Sequence, residues 1–266
     1  MIGQSIQNAI FMKKPLILVT NDDGISAPGL KALVEVASSI GEVVIVAPDS
    51  PQSGQGHAIT LKDPLRVHKA TTYEQFEAYE CSGTPVDCVK FARDLLLKDR
   101  AIDLCISGIN HGSNASINII YSGTMSAAME ASLSGIDSIG FSLLDYAWNA
   151  DFEQAKPFLK EIIENTLKNK LEGTNLLNVN IPNLKREAIK GVRVCRQAQG
   201  KWSEKYVESV DPRGGKYYWL TGEFINNDLK EDTDLWALDN GYIAIVPSQH
   251  DLTAYSAMDK LDWLKK

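Results

Sequence analysis

The sequence contains no apolar stretch close to the ~18 residues that a membrane-spanning helix requires. Its first residues, MIGQSIQNAIFMKK, include no sustained apolar segment before residue 15, where the first strand is predicted. A secretory signal peptide needs such a segment, so we expect none, and Met12 is a second candidate start beside Met1. These absences predict a cytoplasmic protein that does not act at a membrane.

Metal-binding patterns of cysteine and histidine are also missing. The four cysteines form no CxxC pair and the four histidines show no HxxxH spacing. We therefore expect buried, reduced thiols rather than disulfides or a zinc site. Surface or hydrogen-bonding roles are expected for the histidines. His111, which lies in a polar loop, is the one to examine.

The sequence has no excess of basic residues. Lys and Arg number 27 against 34 Asp and Glu, which gives a formal net charge of −7. An acidic balance argues against a nucleic acid polymer as the partner. It is compatible with a mononucleotide, because one bound cation reverses the local field.

Two nucleotide-binding loops are incomplete. A phosphate loop needs Lys directly after its second Gly, but Leu30 stands there, and Pro28 removes a backbone donor. Gly54-Gln-Gly56 matches only part of a dinucleotide fingerprint, and the stretch after it, AITLKDPLRV, is predicted to be extended rather than helical. A nicotinamide-dependent oxidoreductase is therefore disfavoured.

The sequence does contain an alternation of short β-branched runs with helical segments. It predicts buried strands at 15–20, 42–47, 102–107 and 137–143, with helices that begin near Pro28, Thr84 and Ser122. This order predicts a mostly parallel, doubly wound α/β sheet.

The second part of the chain is less regular. It predicts a helix at 151–170, a strand at 176–182, antiparallel strands within 190–222, a helix and a strand within 233–248, and a terminal helix. We divide the chain into an N-terminal extension (1–11), a catalytic core (12–190) and a C-terminal extension (191–266) that shares the core.

Three polar loops follow the predicted strands, at 21–24, 48–56 and 108–123. Because the carboxyl ends of parallel strands meet at one edge, we expect these loops to form a ligand site. Asp22 and Asp23 either cap the next helix or, with Ser and Asn oxygens nearby, bind a hard cation such as Mg²⁺ or Mn²⁺. Ser122, Gly123 and Thr124 either start a helix in the ordinary way or bind a phosphate there.

Several segments together resemble the SurE family of survival-protein nucleotidases. The matching segments span most of the chain from Lys13 onward; they are ILVTNDDGISAPGL (17–30), VVIVAPDSPQSGQGHAIT (43–60), SGTPVDCVKFA (82–92), SGINHGSNASINIIYSGTMSAAMEAS (107–132), NVNIP (178–182) and TDLWALDNGYIAIVP (233–247). Ser116 and Ala131 stand where many relatives have Gly, and residues 1–11 have no counterpart.

This resemblance implies a Rossmann-like fold with a C-terminal β-hairpin and helix used in oligomerisation, as a homodimer or homotetramer. It implies a 5′-nucleotidase that hydrolyses nucleoside 5′- and 3′-monophosphates, and in some relatives polyphosphate, with one divalent metal ion (Mg or Mn) per subunit. The family's functional positions fall on metal ligands Asp22, Asp23, Ser53 and Asn110, on phosphate-binding residues Asn110, Asn114, Ser122, Gly123 and Thr124, and on catalytic residues Asp22, Asp23 and Asn114.

A non-catalytic regulator that binds metal and nucleotide at the same residues is the main alternative. The sequence leaves open the preferred base, sugar and metal, and whether water or an Asp carboxylate attacks phosphorus. It also does not say whether the C-terminal aromatic residues line a base pocket or an oligomer interface.

Overall fold

The computed structural model describes residues 14–265. The predicted extension at 1–11 and both candidate start residues lie outside that range. Within it, none of the helices is long and apolar enough to cross a bilayer.

Residues 14–265 contain one nine-stranded sheet and a separate two-stranded hairpin. The strands are β1 (Leu16–Thr20), β2 (Glu42–Pro48), β3 (Val67–Lys69), β4 (Glu77–Cys81), β5 (Leu104–His111), β6 (Ser138–Leu143), β7 (Leu176–Ile181), β8 (Val192–Val194), β9 (Gly200–Val210), β10 (Lys216–Asn226) and β11 (Ile243–Ser248).

The large sheet has the order β3-β4-β2-β1-β5-β6-β7-β11-β8. Its central six strands, from β4 to β7, are all parallel to their neighbours. Numbered by their order along the chain, these six run 3-2-1-4-5-6, which is the strand order of Rossmann folds. The predicted Rossmann-like, mostly parallel sheet is confirmed, and its topological switch point lies between β1 and β5.

Helices cover both faces of this sheet; they are α1 (Pro28–Ser38), α2 (Pro85–Phe91, continued by a π-helical turn at Ala92–Leu96), α3 (Gly123–Leu133), α4 (Lys156–Asn169) and α5 (Asp234–Asp239). Strand β1 supplies both cores, because its side chains alternate between the faces. Ile17 and Val19 pack in the core that includes α1 and α4, whereas Leu16 and Leu18 pack in the one that includes α2 and α3. The sheet is thus buried on both sides, as its β-branched runs predict.

The start of α2 follows its sequence closely. The Thr84 hydroxyl accepts the backbone N–H of Asp87, the Asp87 carboxylate accepts the N–H of Thr84, and Pro85 occupies the first turn. This capping box confirms the predicted helix start. The four cysteines are free and buried, as predicted.

Several element predictions need correction. Helix α4 begins at Lys156 rather than at 151, because the Asp151 side chain accepts the Glu153 N–H in a turn that precedes the helix. In the stretch 58–67 only Val67 belongs to a strand, since the Thr60 N–H is bonded to the Asp87 carboxylate and Pro64 has no N–H. The terminal helix is a 3₁₀ segment, Tyr255–Leu264.

The C-terminal part contributes two strands to the large sheet and one projecting hairpin. Strand β11 pairs antiparallel with β7 and parallel with β8. The prediction of antiparallel strands within 190–222 is therefore wrong for β8. The antiparallel hairpin is β9–β10, and most of its side chains are exposed.

Candidate functional site

A cleft of about 400 Å³ opens at the carboxyl ends of β1 and β5, next to the topological switch point. Open parallel sheets bind their ligands at this position, and the volume falls within the range of small-molecule sites. Six of the predicted site residues line the cleft: Asp22, Asp23, Ser53, Asn110, Asn114 and Ser122. Gly123 and Thr124 lie behind its wall, as described below.

Asp22 is a buried acid directly after β1. Burial, together with the negative charge of Asp23, raises the pKa of Asp22 from its ordinary value of 3.8 to about 6. Hydrogen bonds from Thr124 oppose that rise, and one of them comes from the Thr124 hydroxyl. Near neutral pH the site therefore holds a desolvated carboxylate beside a second acid, which is an arrangement that a cation stabilises.

Asp23 has one carboxylate oxygen, Oδ2, that is buried and has no hydrogen-bond partner. Burial raises the pKa of Asp23, and the neighbouring His111 opposes this rise. The His111 Nδ1 lies 2.8 Å from the Ala147 carbonyl oxygen, which can only accept, so Nδ1 carries the proton. Its Nε2 is buried without a partner. Asp23 Oδ2 and His111 Nε2 are thus two buried polar atoms of the cleft residues that form no hydrogen bond within the protein.

Neither acid caps the helix that follows. Helix α1 begins after Ala27, whose side chain forms no capping hydrogen bond, and Pro28 occupies the first turn. The alternative in which Asp22 or Asp23 caps this helix is therefore wrong.

Ser53 belongs to the loop after β2 and is exposed on the cleft wall. The backbone N–H of its neighbour Gln52 donates to the Asp22 carbonyl oxygen at 2.8 Å. Gly56 binds the opposite wall through its N–H, which donates to the Tyr121 carbonyl oxygen at 3.2 Å. These two bonds hold the Ser53 loop across the ends of β1 and the α3 segment.

Asn110 lies near the end of β5 and has its amide nitrogen occupied. Nδ2 donates to the carbonyl oxygens of Gly112 (2.8 Å) and His111 (3.4 Å). An amide held through its nitrogen offers its oxygen to a ligand, which suits the predicted metal role. The prediction for the sequence placed the end of this strand at 107, but β5 continues to His111 after a register shift between Ser107 and Asn110.

The start of α3 lies against Asp22. A Cβ atom on Gly123 would lie 2.7 Å from the Asp22 Cβ, so only glycine allows this approach. Ser122 is the N-cap, since its Oγ accepts the Met125 N–H at 3.0 Å, and it also lines the cleft. Thr124 is fully buried and donates its hydroxyl to Asp22. Ser122 therefore caps α3 and lines the cleft at the same time, and the Thr124 hydroxyl orients the Asp22 carboxylate.

Asn114 is buried at the back of the cleft and is held on every side. Its backbone N–H donates to Asn180 Oδ1 (2.9 Å), its carbonyl oxygen accepts Asn178 Nδ2 (2.8 Å), and its own Nδ2 donates to Ser142 Oγ (2.9 Å). Residues of two strands, β6 and β7, thus fix the position of this amide.

The donor set fits a hard divalent cation. Within residues 14–265 no group of three or more His, Cys, Asp or Glu side chains is arranged to hold a metal. The oxygens available are instead two carboxylates, a serine hydroxyl and an asparagine amide, which suit Mg²⁺ or Mn²⁺ better than zinc. The unpartnered Asp23 Oδ2 is the observation that agrees best with an ion at this position.

Comparison with known proteins agrees with this geometry. The family model described as "Survival protein SurE" matches residues 17–204. The chain belongs to the SurE family. It is similar to the 5′-nucleotidase SurE of Flavobacterium psychrophilum, with 58% identity over 252 residues, which is 94% of this chain and 98% of the relative. The protein of the same name in Flavobacterium johnsoniae is 59% identical over 254 residues, or 95% and 98% of the two chains.

A solved SurE structure has the same architecture. The crystal structure of the SurE protein from Aquifex aeolicus superimposes with a TM-score of 0.82 at 40% identity. It covers 95% of this chain and 100% of the Aquifex chain. The fold of the SurE family therefore extends over almost the whole chain, including the C-terminal part.

The cleft of this SurE-family member also contains aromatic side chains; Tyr121 and Tyr146 were not predicted there, and for the C-terminal aromatic residues, which include Trp202, the sequence left a base pocket and an oligomer interface open. Tyr121, Tyr146 and Trp202 line it together with the polar residues. Tyr146 lies so close to Gly112 that a Cβ there would be 2.3 Å from its ring. These residues are distant in the sequence, and an exposed aromatic residue alone indicates no role. Only the fold brings them to one place.

Proposed function

We propose that the chain is a metal-dependent 5′-nucleotidase that hydrolyses nucleoside 5′- and 3′-monophosphates to nucleoside and phosphate. The observation that carries this proposal is the pair of acids at the switch point, one buried and one with an unpartnered oxygen, in a cleft with polar phosphate-binding groups. The relatives named 5′-nucleotidase SurE support the substrate class.

The proposed metal ligands are Asp22, Asp23, Ser53 and Asn110, with one Mg²⁺ or Mn²⁺ ion per subunit. When bound, such an ion neutralises phosphoryl oxygens and stabilises the charge that develops on them. The support from this chain is chemical, because burial raises the pKa of both acids and the charge of Asp23 raises the pKa of Asp22 further. Two adjacent carboxylates without a cation partner are costly to keep ionised.

The remaining predicted residues bind and orient the phosphate group. Asn114 can present its amide from a rigid position, and Ser122 can donate its hydroxyl while its oxygen accepts the Met125 N–H. Because phosphate monoesters are very unreactive, fixed positioning and charge stabilisation must supply most of the acceleration. Gly123 and Thr124 contribute by supporting Asp22, in addition to the phosphate role proposed for them.

We further propose that the protein acts in the cytoplasm as a homodimer or homotetramer that uses the β9–β10 hairpin and the terminal segment. The hairpin supports this because many of its aromatic and aliphatic side chains are exposed, among them Tyr206, Tyr218 and Leu220. An isolated two-stranded hairpin is marginally stable in water, so a partner surface would stabilise it.

A phosphate-release assay tests the proposed function. After treatment with EDTA and dialysis, we expect no turnover of AMP or 3′-AMP, and recovery when Mn²⁺ or Mg²⁺ is added. Asp23→Asn should abolish the recovery, while Asp63→Asn, a change at an exposed acid outside the cleft, should keep it. Binding of AMP and Mn²⁺ without any phosphate release would instead indicate a non-catalytic regulator.

A further inference from the structure

Trp202 lies in the wall of the cleft although it belongs to the β9–β10 hairpin. Most of the other residues of β9 are exposed. Trp202 itself is 42% exposed, so part of its ring is open to the cleft while the rest is packed. An amphipathic ring in this position can serve as a stacking surface.

Two contacts fix the orientation of the indole ring. Its Nε1 donates to Asn118 Oδ1 at 2.9 Å, and its ring meets that of Phe224 edge to face, with centroids 5.5 Å apart at 71°. Asn118 belongs to the segment between β5 and α3 and also lines the cleft. The ring is therefore held in place before any ligand binds, which reduces the entropy lost on stacking.

The backbone beside Trp202 is attached to the same segment. The Ser116 hydroxyl donates to the Ala198 carbonyl oxygen (2.8 Å) and accepts the Gly200 N–H (3.0 Å). The fully buried Asp234 carboxylate accepts the N–H groups of Ser116 (2.8 Å) and Ala198 (2.9 Å). These four bonds, which we call the Ser116 clasp, join the base of the hairpin to the loop that carries Asn114 and Asn118.

We propose that Trp202 is the stacking platform for the nucleobase and so determines the preference of this cleft for nucleotides over simpler phosphate esters. The polar side of the cleft accounts for a phosphate, but its carboxylate, amide and hydroxyl groups offer no face on which a base can stack. The aromatic side, formed by Trp202, Tyr121 and Tyr146, supplies flat apolar surface in the same cleft. A purine or pyrimidine is the part of a nucleotide that fits such a surface.

The inference rests on the proposed function for its substrate class, but it can be tested without turnover. Adenosine has the base and lacks the phosphate, so its equilibrium affinity measured by calorimetry reports the base subsite alone. We expect Trp202→Leu to weaken adenosine binding by roughly five- to 150-fold, the usual range for loss of one base–aromatic stack. Trp202→Phe, which keeps a ring, should retain most of the affinity.

Trp219→Leu is the matched control. Trp219 is an exposed tryptophan on β10 of the same hairpin and does not line the cleft. Trp219→Leu should leave adenosine affinity at the wild-type value, because Trp219 does not line the cleft. If a general disturbance of the hairpin caused the loss of affinity in Trp202→Leu, both leucine variants would show it. Equal affinity of Trp202→Leu and wild type for adenosine, equal losses in both leucine variants, or no adenosine binding by the wild type would each overturn the proposal.

A kinetic comparison separates this proposal from the proposed function. Ribose 5-phosphate has the same ester as AMP and lacks the base, so the ratio of the two kcat/KM values measures base recognition. Trp202→Leu should lower that ratio by the same factor, mainly through the KM for AMP. If the wild type hydrolyses neither ester, the proposed function fails, and adenosine binding still decides the role of Trp202.

Discussion

Replacing Asp22 by Asn should make the metal-free protein more stable while it abolishes the stabilisation by metal. The side chains have nearly the same shape, and an Asn oxygen can still accept the Thr124 hydroxyl. The change therefore removes the charge and little else. Since Asp22 is buried, that charge carries a desolvation cost in the folded state that it does not carry in the unfolded chain.

The size of this cost follows from the pKa of Asp22. Its rise from 3.8 to about 6 corresponds to about 3 kcal/mol of unfolding free energy. Because the folded-state pKa is the higher one, the folded protein holds this proton more tightly than the unfolded chain does. The contribution of Asp22 to stability is therefore most favourable below pH 3.8 and falls as the pH rises to about 6. Above that pH the whole desolvation cost of its carboxylate applies.

Urea denaturation in EDTA measures the effect. At pH 8 we expect Asp22→Asn to exceed the wild type by about 3 kcal/mol, and at pH 5 by roughly half of that. Addition of Mn²⁺ at about 100 times its dissociation constant should stabilise the wild type by roughly 2.7 kcal/mol and leave Asp22→Asn unchanged. Asp63→Asn, at an exposed site, should behave as the wild type throughout.

Two results would refute this reasoning. One is a variant that is no more stable than the wild type in EDTA at pH 8, which would mean that Asp22 is not desolvated. The other is an equal gain from Mn²⁺ in both proteins, which would remove Asp22 from the ligand set. The first result contradicts the electrostatics of the site, and the second contradicts the metal assignment.

Three further predictions test the residues that hold the site in place. Thr124→Val removes a hydrogen bond that lowers the pKa of Asp22, so the acid limb of the kcat/KM profile should move to higher pH, and Thr124→Ser should restore it. Ser116→Gly should fold normally, because φ at this position is 56°, but loss of the hydroxyl should weaken adenosine binding by roughly two- to tenfold; unchanged affinity would exclude a positioning role for the clasp. Gly29→Ala should cost about 2–3 kcal/mol in urea denaturation, because its Cβ would lie 2.1 Å from the Ile109 carbonyl oxygen; a loss under 1 kcal/mol would contradict this packing.

The sequence was sufficient for the parts of the fold that local signals determine. The capping box at Thr84 and the buried strand β1 depend on residues a few positions apart, and both were predicted correctly. The end of β5 was not, because Gly108 has a φ of 128° and interrupts the strand pattern before the strand resumes at Asn110. From the sequence, Gly108 is predicted to start a loop, whereas in the structure Gly108 lies where the β5–β6 pairing shifts its register.

The residues of the candidate site also divide into those that local sequence signals identify and those that only the fold brings together. Motif residues such as Asp22 and Asn110 could be identified because they lie in polar loops directly after predicted strands. Trp202 could not be placed in the cleft, because the sequence does not show how close the β9–β10 hairpin lies to the end of β5. Ser116 stands where many relatives have Gly; in the structure it has a positive φ of 56°, and its hydroxyl bonds to the backbone of Ala198 and Gly200.

The Ser116 clasp also changes how the C-terminal extension is understood. If the hairpin served only an interface between copies, nothing would require a buried carboxylate and a buried hydroxyl to attach its base to the active-site loop. Burying Asp234 raises its pKa through desolvation, and its hydrogen bonds to the Ser116 and Ala198 N–H groups offset that cost only in part. Such a connection makes sense if the relative position of Asn114 and Trp202 matters, as it must where the first is proposed to bind the phosphate and the second the base of one nucleotide.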